Sequence, residues 1–225
     1  MKIKPIFLFS LPRSGSTFAQ RVFAASPEIS TLSEPWLLLP LLCALKREGT
    51  NAIYSHHHAV SGLEDFLADL PGGRENYLEA IRHCVTTLYS KASDRESKYF
   101  LDKTPRYHLI AEDIIETFPD SKFIFLWRNP LAIIGSMLDS GGCQWNLHAY
   151  KVDLYDGLTN LVATYEKYQS KVYAVRYEEL VEGADTIWEA VYDYLNVPYE
   201  NNFLQEFSKV RLNGRMGDNR KVLLQ

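Results

Sequence analysis

Residues 5–17 read PIFLFSLPRSGST, and this stretch decides the fold class of the chain. A short apolar run rich in strand-forming residues ends at Pro12, and residues at helical spacing follow Gly15. The pattern predicts a buried strand, a tight loop and a helix. Because the first N–H groups of a helix point at one spot and the helix dipole favours an anion there, the loop predicts a phosphate site.

The loop carries the residue types that such a site needs. Arg13 offers a guanidinium fork, and Gly15 lets the backbone approach a ligand closely. Three hydroxyl groups complete the set: Ser14, Ser16 and Thr17. The nucleoside-triphosphate pattern GxxxxGKS/T is absent, because Ser16 follows Gly15 and the cation precedes the glycine. An ordinary strand-to-helix turn is the alternative at this point.

Composition is that of an ordinary globular protein. The chain has 225 residues, of which 46% are apolar and 23% are charged, and its formal net charge is -4. We expect one α/β domain over residues 1–225, without a nucleic-acid-binding surface. The longest apolar stretch, residues 36–45, is too short to cross a bilayer. We therefore expect no membrane span. The run after Lys2 and Lys4 leads directly into the Arg13 loop without a small-residue cleavage site, so we also expect no signal peptide and a cytoplasmic location.

Neither the cysteines nor the histidines suggest a metal site. Cys43, Cys84 and Cys143 lie far apart without metal-ligand spacing, and we expect reduced, structural thiols. Residues 56–58 are three adjacent histidines in a polar stretch, residues 46–62, which predicts a surface loop. We expect no bound metal.

Apolar runs and helical periodicities alternate along the rest of the chain. Further strands are predicted at 29–32, 98–101, 122–127 and 171–175, and helices at 36–45, 63–70, 75–90, 109–118, 131–138, 155–169 and 186–195. This alternation predicts an α/β fold with a mostly parallel sheet flanked by helices.

Three of the predicted strands are followed by a cation: Arg13, Lys103 and Arg128. Parallel sheets bind their ligands beyond the carboxyl ends of the strands. We therefore expect a strongly anionic ligand with more than one anionic group.

Three segments, in order along the chain, point to a known family. They are LPRSGST at 11–17, FIFLWRNP at 123–130 with Ser136 after it, and RYEEL at 176–180. Together they resemble the sulfotransferases that use 3′-phosphoadenosine 5′-phosphosulfate (PAPS). The resemblance implies a P-loop-like sulfotransferase fold, PAPS as co-substrate without a metal, and in-line transfer of the sulfuryl group to an acceptor hydroxyl.

The resemblance also implies roles for single residues. A 5′-phosphosulfate site would consist of Arg13 with the amides of Ser14, Gly15, Ser16 and Thr17. Arg128 and Ser136 would hold the 3′-phosphate, and Tyr177 would touch the base. Lys103 matches the family lysine that stabilises charge at the bridging oxygen.

The chain departs from the cytosolic small-molecule type of the family. That type has Lys-Thr-His at the strand end, with the histidine as base, whereas this chain has Lys103, Thr104 and Pro105. The segment Ser-Glu-Pro at 33–35 resembles the one in which tyrosylprotein and bacterial sulfotransferases carry a glutamate base, which assigns that role to Glu34. An interaction of Glu34 with the dipole of the next helix is the alternative, and His108 is a second base candidate.

The C-terminal family loop usually reads RKGxxGD. Here LNGRMGD at 212–218 keeps the glycines and the aspartate but lacks the basic pair. Arg211, Arg215 and Arg220 are alternative replacements.

Two other functions stay open on the sequence alone. A P-loop-type kinase with Mg-ATP could use Asp102 and Thr17 as magnesium ligands, although the Walker lysine is missing. A non-catalytic nucleotide-binding module is the other. For a sulfotransferase, the acceptor is a small-molecule or peptide hydroxyl. The helix at 36–45, the loop around His56 and the loop at 141–148 favour an apolar or aromatic alcohol.

Overall fold

The computed structural model describes residues 3–140, 150–183 and 185–212. These ranges contain five strands: β1 (Lys4–Phe9), β2 (Ile29–Thr31), β3 (Tyr99–Asp102), β4 (Lys122–Trp127) and β5 (Tyr173–Arg176). All neighbouring strands pair in parallel, in the order β2-β3-β1-β4-β5. The predicted parallel α/β class is therefore confirmed.

Helices follow the strands along the chain. They are α1 (Ser16–Ala25), α2 (Leu38–Cys43), α3 (His56–Ala68), α4 (Arg74–Ala92), α5 (Ala111–Thr117), α6 (Pro130–Ser140), α7 (Gly157–Tyr168), α8 (Tyr177–Val181), α9 (Asp185–Leu195) and α10 (Phe203–Glu206). Short 3-10 turns lie at Pro105–Leu109 and Phe207–Lys209, and a π turn at Val152–Asp156 precedes α7.

Side chains alternate between the two faces of the sheet, as the period of a strand requires. One face stacks phenylalanines from β1 and β4 and is covered by α4, α5 and α7; these are Phe7, Phe9, Phe123 and Phe125. The opposite face buries Ile6, Leu8, Ile124 and Leu126 against α1 and α9. Because helices bury both faces, the strands read in sequence as continuous apolar runs.

The surface loop predicted at 46–62 is wrong in its second half, where α3 begins at His56. The hydroxyl of Ser55 caps this helix by accepting a hydrogen bond from the His58 amide at 3.4 Å. Val60 and Leu67, seven residues apart, are buried on the inner face of the helix. The cap and this spacing are the signals that outweigh the polar composition.

Two other element boundaries differ from those expected. The helix predicted at 109–118 is divided at Ile110, whose φ of -137° lies outside the helical region, into a 3-10 turn and α5. The helix predicted at 36–45 is reduced to the six residues of α2. Within the described ranges, no helix combines the length and apolar content that crossing a membrane requires.

Candidate functional site

The loop between β1 and α1 has the backbone shape of an anion cradle. Arg13 (φ 68°) and Gly15 (φ 83°) both adopt the left-handed conformation, and Ser16 is the first helical residue. No side chain caps this helix, so its first N–H groups stay available to a ligand. Nests of this kind bind phosphate-like groups.

Tyr177, the first residue of α8, closes one side of the loop. A Cβ atom at Gly15 would lie 2.1 Å from a carbon of the Tyr177 ring, so the ring occupies the space that any other side chain would need. The ring also meets Phe18 edge to face at 6.2 Å. A glycine is thus required here both by its φ and by this contact.

Arg128, which follows β4, joins the same group. Its guanidinium lies 4.4 Å from the centre of the Tyr177 ring and donates a hydrogen bond to the Arg13 carbonyl at 2.7 Å. Its Nε is buried and has no hydrogen-bond partner among the described residues. A buried donor without a partner suits a site whose ligand supplies the acceptor.

Ser136 on α6 belongs to this group as well, through the other arginine. The Nε of Arg13 donates to the Ser136 hydroxyl at 3.1 Å, across 123 residues of sequence. The structure therefore joins a residue expected at the 5′-phosphosulfate to one expected at the 3′-phosphate. The carboxyl ends of β1 and β4, which are neighbours in the sheet, bring them together.

Glu34 and Lys103 form a buried ion pair. The Lys103 ammonium lies 2.8 Å from Glu34 Oε1, and the side chains of Lys103 and Glu34 are only 1% and 8% exposed. The other carboxylate oxygen, Oε2, accepts a hydrogen bond from the Trp36 indole at 3.2 Å. Since α2 begins only at Leu38, Glu34 contacts Lys103 and Trp36 and does not cap the helix.

A buried carboxylate, Asp102, lies directly before Lys103. Its Oδ2 accepts hydrogen bonds from the hydroxyls of Tyr89 and Tyr107, and its Oδ1 from the Thr104 hydroxyl at 3.1 Å. Burial raises the pKa of Asp102 to about 6, while these hydrogen bonds and Lys103 act in the opposite direction. The three hydroxyls take up three of the about four lone-pair positions of this carboxylate, which leaves little of it for a magnesium ion to bind.

His108, the second base candidate, lies in a different cluster. Its Nε2 is 3.1 Å from Asp153 Oδ1, which also pairs with Arg106 at 2.9 Å. Its ring packs against Gly157, where an added Cβ would lie 2.9 Å away. The structure thus groups His108 with Asp153, apart from the pair of Glu34 and Lys103.

Other expected residues lie partly outside the described ranges. Cys43 and Cys84 are free thiols, whereas Cys143 and the loop at 141–148 fall outside these ranges. Arg211 is exposed, and Arg215 and Arg220 lie beyond residue 212. No group of three or more metal-ligating side chains occurs among the residues described.

Gln20 is a site residue that the sequence analysis missed. This fully buried residue of α1 donates from Nε2 to Thr31 Oγ1 and to the carbonyls of Leu32 and Ser33, at 2.8, 2.6 and 3.0 Å. It therefore ties the helix after the phosphate loop to the segment that carries Glu34. Its position between Ala19 and Val22 on the buried stripe of α1 was the available signal, because a polar residue there needs a specific partner.

The contact between Gly15 and Tyr177 can be tested against a glycine of equal strain. Gly49 also has a positive φ, of 86°, but a Cβ there would meet nothing within 4 Å. We expect Gly49→Ala to lose about 1–2 kcal/mol of unfolding free energy from its backbone alone. Gly15→Ala should lose about 1–3 kcal/mol more because the added carbon overlaps the ring.

The measurement is urea unfolding of both variants and of the double variant Gly15→Ala/Tyr177→Ala. The double variant should not show the additional loss of unfolding free energy at residue 15, because no ring is left to overlap the added carbon. Equal losses for the two single glycine variants would contradict the close contact.

Asp102 should leave a signature in the pH dependence of stability. Its folded pKa of about 6 lies above the ordinary value of 3.8, so the folded state binds the proton more tightly than the unfolded state. The stabilisation by this group is complete below pH 4 and is lost as pH rises through 6. Relative to Asp102→Asn, the wild-type chain should lose on the order of 3 kcal/mol over this window.

Denaturant titrations at pH 4, 5, 6 and 7 measure this difference. Absolute stabilities will differ because the amide alters the hydrogen bonds, so the readout is the change with pH. Parallel pH profiles for the two proteins would refute the raised pKa.

Known proteins share both the sequence pattern and the fold of this chain. Its sequence matches the sulfotransferase family over residues 5–201. The nodulation protein NoeE of Sinorhizobium fredii is 31% identical over 137 residues, which are 60% of this chain and 31% of that protein. Protein-tyrosine sulfotransferase 2 of Gallus gallus is 22% identical over 205 residues, 88% of this chain and 53% of that protein. The chain thus spans between about a third and about half of the length of these relatives.

Two solved structures share its fold. The sulfotransferase domain from the Synechococcus PCC 7002 olefin synthase superposes with a TM-score of 0.62 at 21% identity, over 97% of this chain and 82% of that one. The mouse sulfotransferase SULT7A1 complexed with PAP gives a TM-score of 0.50 at 13% identity, over 92% and 63% of the respective chains. The family match includes the phosphate loop, Glu34, Lys103 and the motif after β4, and the chain belongs to the sulfotransferase family.

Proposed function

We propose that this chain transfers the sulfuryl group of PAPS to the hydroxyl of a small-molecule or peptide acceptor. The observation that carries the proposal is the buried pair of Glu34 and Lys103, which follow β2 and β3 at the same edge of the sheet as the phosphate loop. Membership of the sulfotransferase family supports the donor. A cytoplasmic location and a single domain over residues 1–225 belong to the same proposal, the former supported by the free thiols Cys43 and Cys84.

The donor-binding residues of this proposal are those that the family resemblance implies, and the geometry of the loop and its neighbours supports them. Arg13 and the amides of Ser14, Gly15, Ser16 and Thr17 bind the 5′-phosphosulfate in the cradle at the start of α1. Arg128 and Ser136 bind the 3′-phosphate, to which the buried Arg128 Nε can donate. Tyr177, held between Gly15 and Arg128, contacts the adenine.

Glu34 acts as the base of the reaction. It removes the proton of the acceptor hydroxyl while the acceptor oxygen bonds to sulfur and the bond from sulfur to the bridging oxygen breaks. Lys103 and Arg13 stabilise the negative charge that grows on the bridging and phosphate oxygens. The carboxylate oxygens keep lone pairs beyond those used by Lys103 and Trp36, so Glu34 can accept the proton without leaving its place.

A kinase mechanism fits these residues less well. The carboxylate that could imitate a magnesium ligand is Asp102, the last residue of β3, and three hydroxyls enclose it. The cation that a nucleoside-triphosphate loop needs after its glycine is replaced by Ser16.

Nucleotide preference is the first test of the proposal. We expect calorimetric titration to show that the chain binds 3′-phosphoadenosine 5′-phosphate (PAP), the desulfated donor. Magnesium should not change the Kd for PAP. ATP should bind at least tenfold more weakly, because it lacks a 3′-phosphate for Arg128. The Arg128→Ala variant should lose most of the preference for PAP. Tighter binding of magnesium-ATP than of PAP would replace the sulfotransferase proposal with the kinase one.

The base and the lysine are tested by turnover. PAP release from PAPS is followed with 4-nitrophenol, a tyrosine-containing peptide and 1-dodecanol as acceptors. Glu34→Gln should lower kcat by about a hundred- to ten-thousandfold. Lys103→Ala should lower it by about a hundred- to thousandfold, as expected for the loss of a charge-stabilising donor.

Lys98→Ala is the matched control, since Lys98 lies at the other end of the same strand and bonds the Asn196 carbonyl at 2.7 Å. It should retain full turnover. A normal kcat in Glu34→Gln would show that Glu34 is not the base. A chain that binds PAP but turns over with none of the three acceptors would contradict the proposed acceptor class.

A further inference from the structure

Asp102 is a fully buried charged group for which the proposed mechanism has no use. Three hydroxyls donate to its two oxygens and enclose the carboxylate in the protein interior. Burying a carboxylate is costly compared with an apolar side chain of the same size. The presence of the Asp102 carboxylate beside Lys103, in spite of this cost in stability, is explained if its hydrogen bonds orient other groups.

Two of the three hydroxyls, those of Thr104 and Tyr107, also accept hydrogen bonds from backbone amides. A hydroxyl has one proton to donate, and an ionised carboxylate can only accept. Because Thr104 and Tyr107 give their protons to Asp102, each presents a lone pair on its other side. Thr104 Oγ1 there accepts from the Trp36 amide at 3.3 Å, and the Tyr107 hydroxyl accepts from the Leu38 amide at 3.2 Å.

Both relays thus end on residues that closely follow Glu34. Trp36 has a φ of 55°, a left-handed conformation that a bulky residue adopts only where its surroundings enforce it. In this conformation its indole N–H donates to Glu34 Oε2. The hydrogen bond from the Trp36 amide to Thr104 is one of the contacts that hold this strained backbone in place.

We propose that Asp102 is a positioning residue that acts through Thr104 and Tyr107 to hold residues 36–38, and thereby sets the orientation of the Glu34 carboxylate. The inference rests on the proposed function in so far as Glu34 is the base. Asp102 itself does not touch the substrate in this scheme. In Asp102→Asn, the amide NH2 group would face at least one hydroxyl that donates to the carboxylate in the wild type. Two donors cannot bond to each other, so at least one of the two relays would be disturbed.

The chain offers matched tyrosines for the test. Tyr107→Phe removes a hydroxyl that reaches the backbone of residue 38, and Tyr89→Phe removes one that donates to the same Asp102 oxygen without a described onward bond. Tyr192→Phe is the control, because Tyr192 is equally buried and bonds the Val22 carbonyl at 2.9 Å, away from this network.

Two readouts separate positioning from a general structural role. The first is the indole ¹H–¹⁵N signal of Trp36 in tryptophan-labelled protein, assigned by its absence in Trp36→Phe. We expect this signal to shift in Asp102→Asn and Tyr107→Phe, to move less in Tyr89→Phe and to stay in place in Tyr192→Phe. It reports the contact with Glu34 whether or not the chain turns over PAPS.

The second readout is the split between turnover and donor binding, with the fastest of the three acceptors above. A displacement of a catalytic group by about 1 Å can lower the rate by about a hundredfold. We expect kcat to fall about tenfold in Tyr107→Phe and about a hundredfold in Asp102→Asn, with the Kd for PAP within about twofold of wild type. Tyr192→Phe should match the wild type in both.

The outcomes distinguish this inference from the proposed function. An unmoved Trp36 signal in Tyr107→Phe, or parallel losses of PAP binding and kcat, would overturn the positioning role. Normal turnover in Glu34→Gln would remove the base, while the indole signal would still decide whether Asp102 orients Glu34. If Asp102→Asn does not fold, the comparison of Tyr107→Phe with Tyr89→Phe and Tyr192→Phe decides alone.

Discussion

The parallel pairing of the five strands is the constraint on which the site depends. Parallel strands all end at the same edge of the sheet, so the segments that follow them meet there. The order β2-β3-β1-β4-β5 makes the segments after β2 and β3 neighbours, and likewise those after β1 and β4. The first pair of neighbours contains Glu34 and Lys103, and the second contains Arg13 and Arg128. Backbone pairing thereby brings segments that are far apart in sequence to neighbouring positions at this edge.

The site concentrates features that cost stability. Glu34, Lys103 and Asp102 are charged groups removed from water, and Arg13 and Trp36 hold left-handed backbone conformations. The rest of the fold follows ordinary rules, with both faces of the sheet buried under helices and filled with packed aromatic rings. Stability supplied by these two cores allows the carboxyl edge to retain buried charge and strained backbone. Buried charges and strained backbone of this kind are typical of functional sites.

Much of the fold could be predicted because its signals are local. The apolar run at 122–127 forms a strand with the predicted bounds, because a strand that is buried on both faces of a parallel sheet appears in the sequence as a continuous apolar run. The start of α3 at His56 could not be read from composition, because it depends on a capping bond from Ser55 and on burial of Val60 and Leu67. The tight loop after β1 was indicated by Pro12 and Gly15, whereas the left-handed conformation of Arg13 was not, because a residue other than glycine gives no such signal.

By itself, the sequence determined which residues carry the charges and which segments end in them. A strand followed by Arg13, Lys103 or Arg128 can be read from residues that lie close to one another in the chain. Only the tertiary structure decided which of these side chains touch. The contact between Glu34 and Lys103 spans 69 residues, and that between Arg13 and Ser136 spans 123. Such contacts depend on the order of the strands and on side-chain rotamers, which are set by packing across the whole sheet and leave no trace in any local pattern.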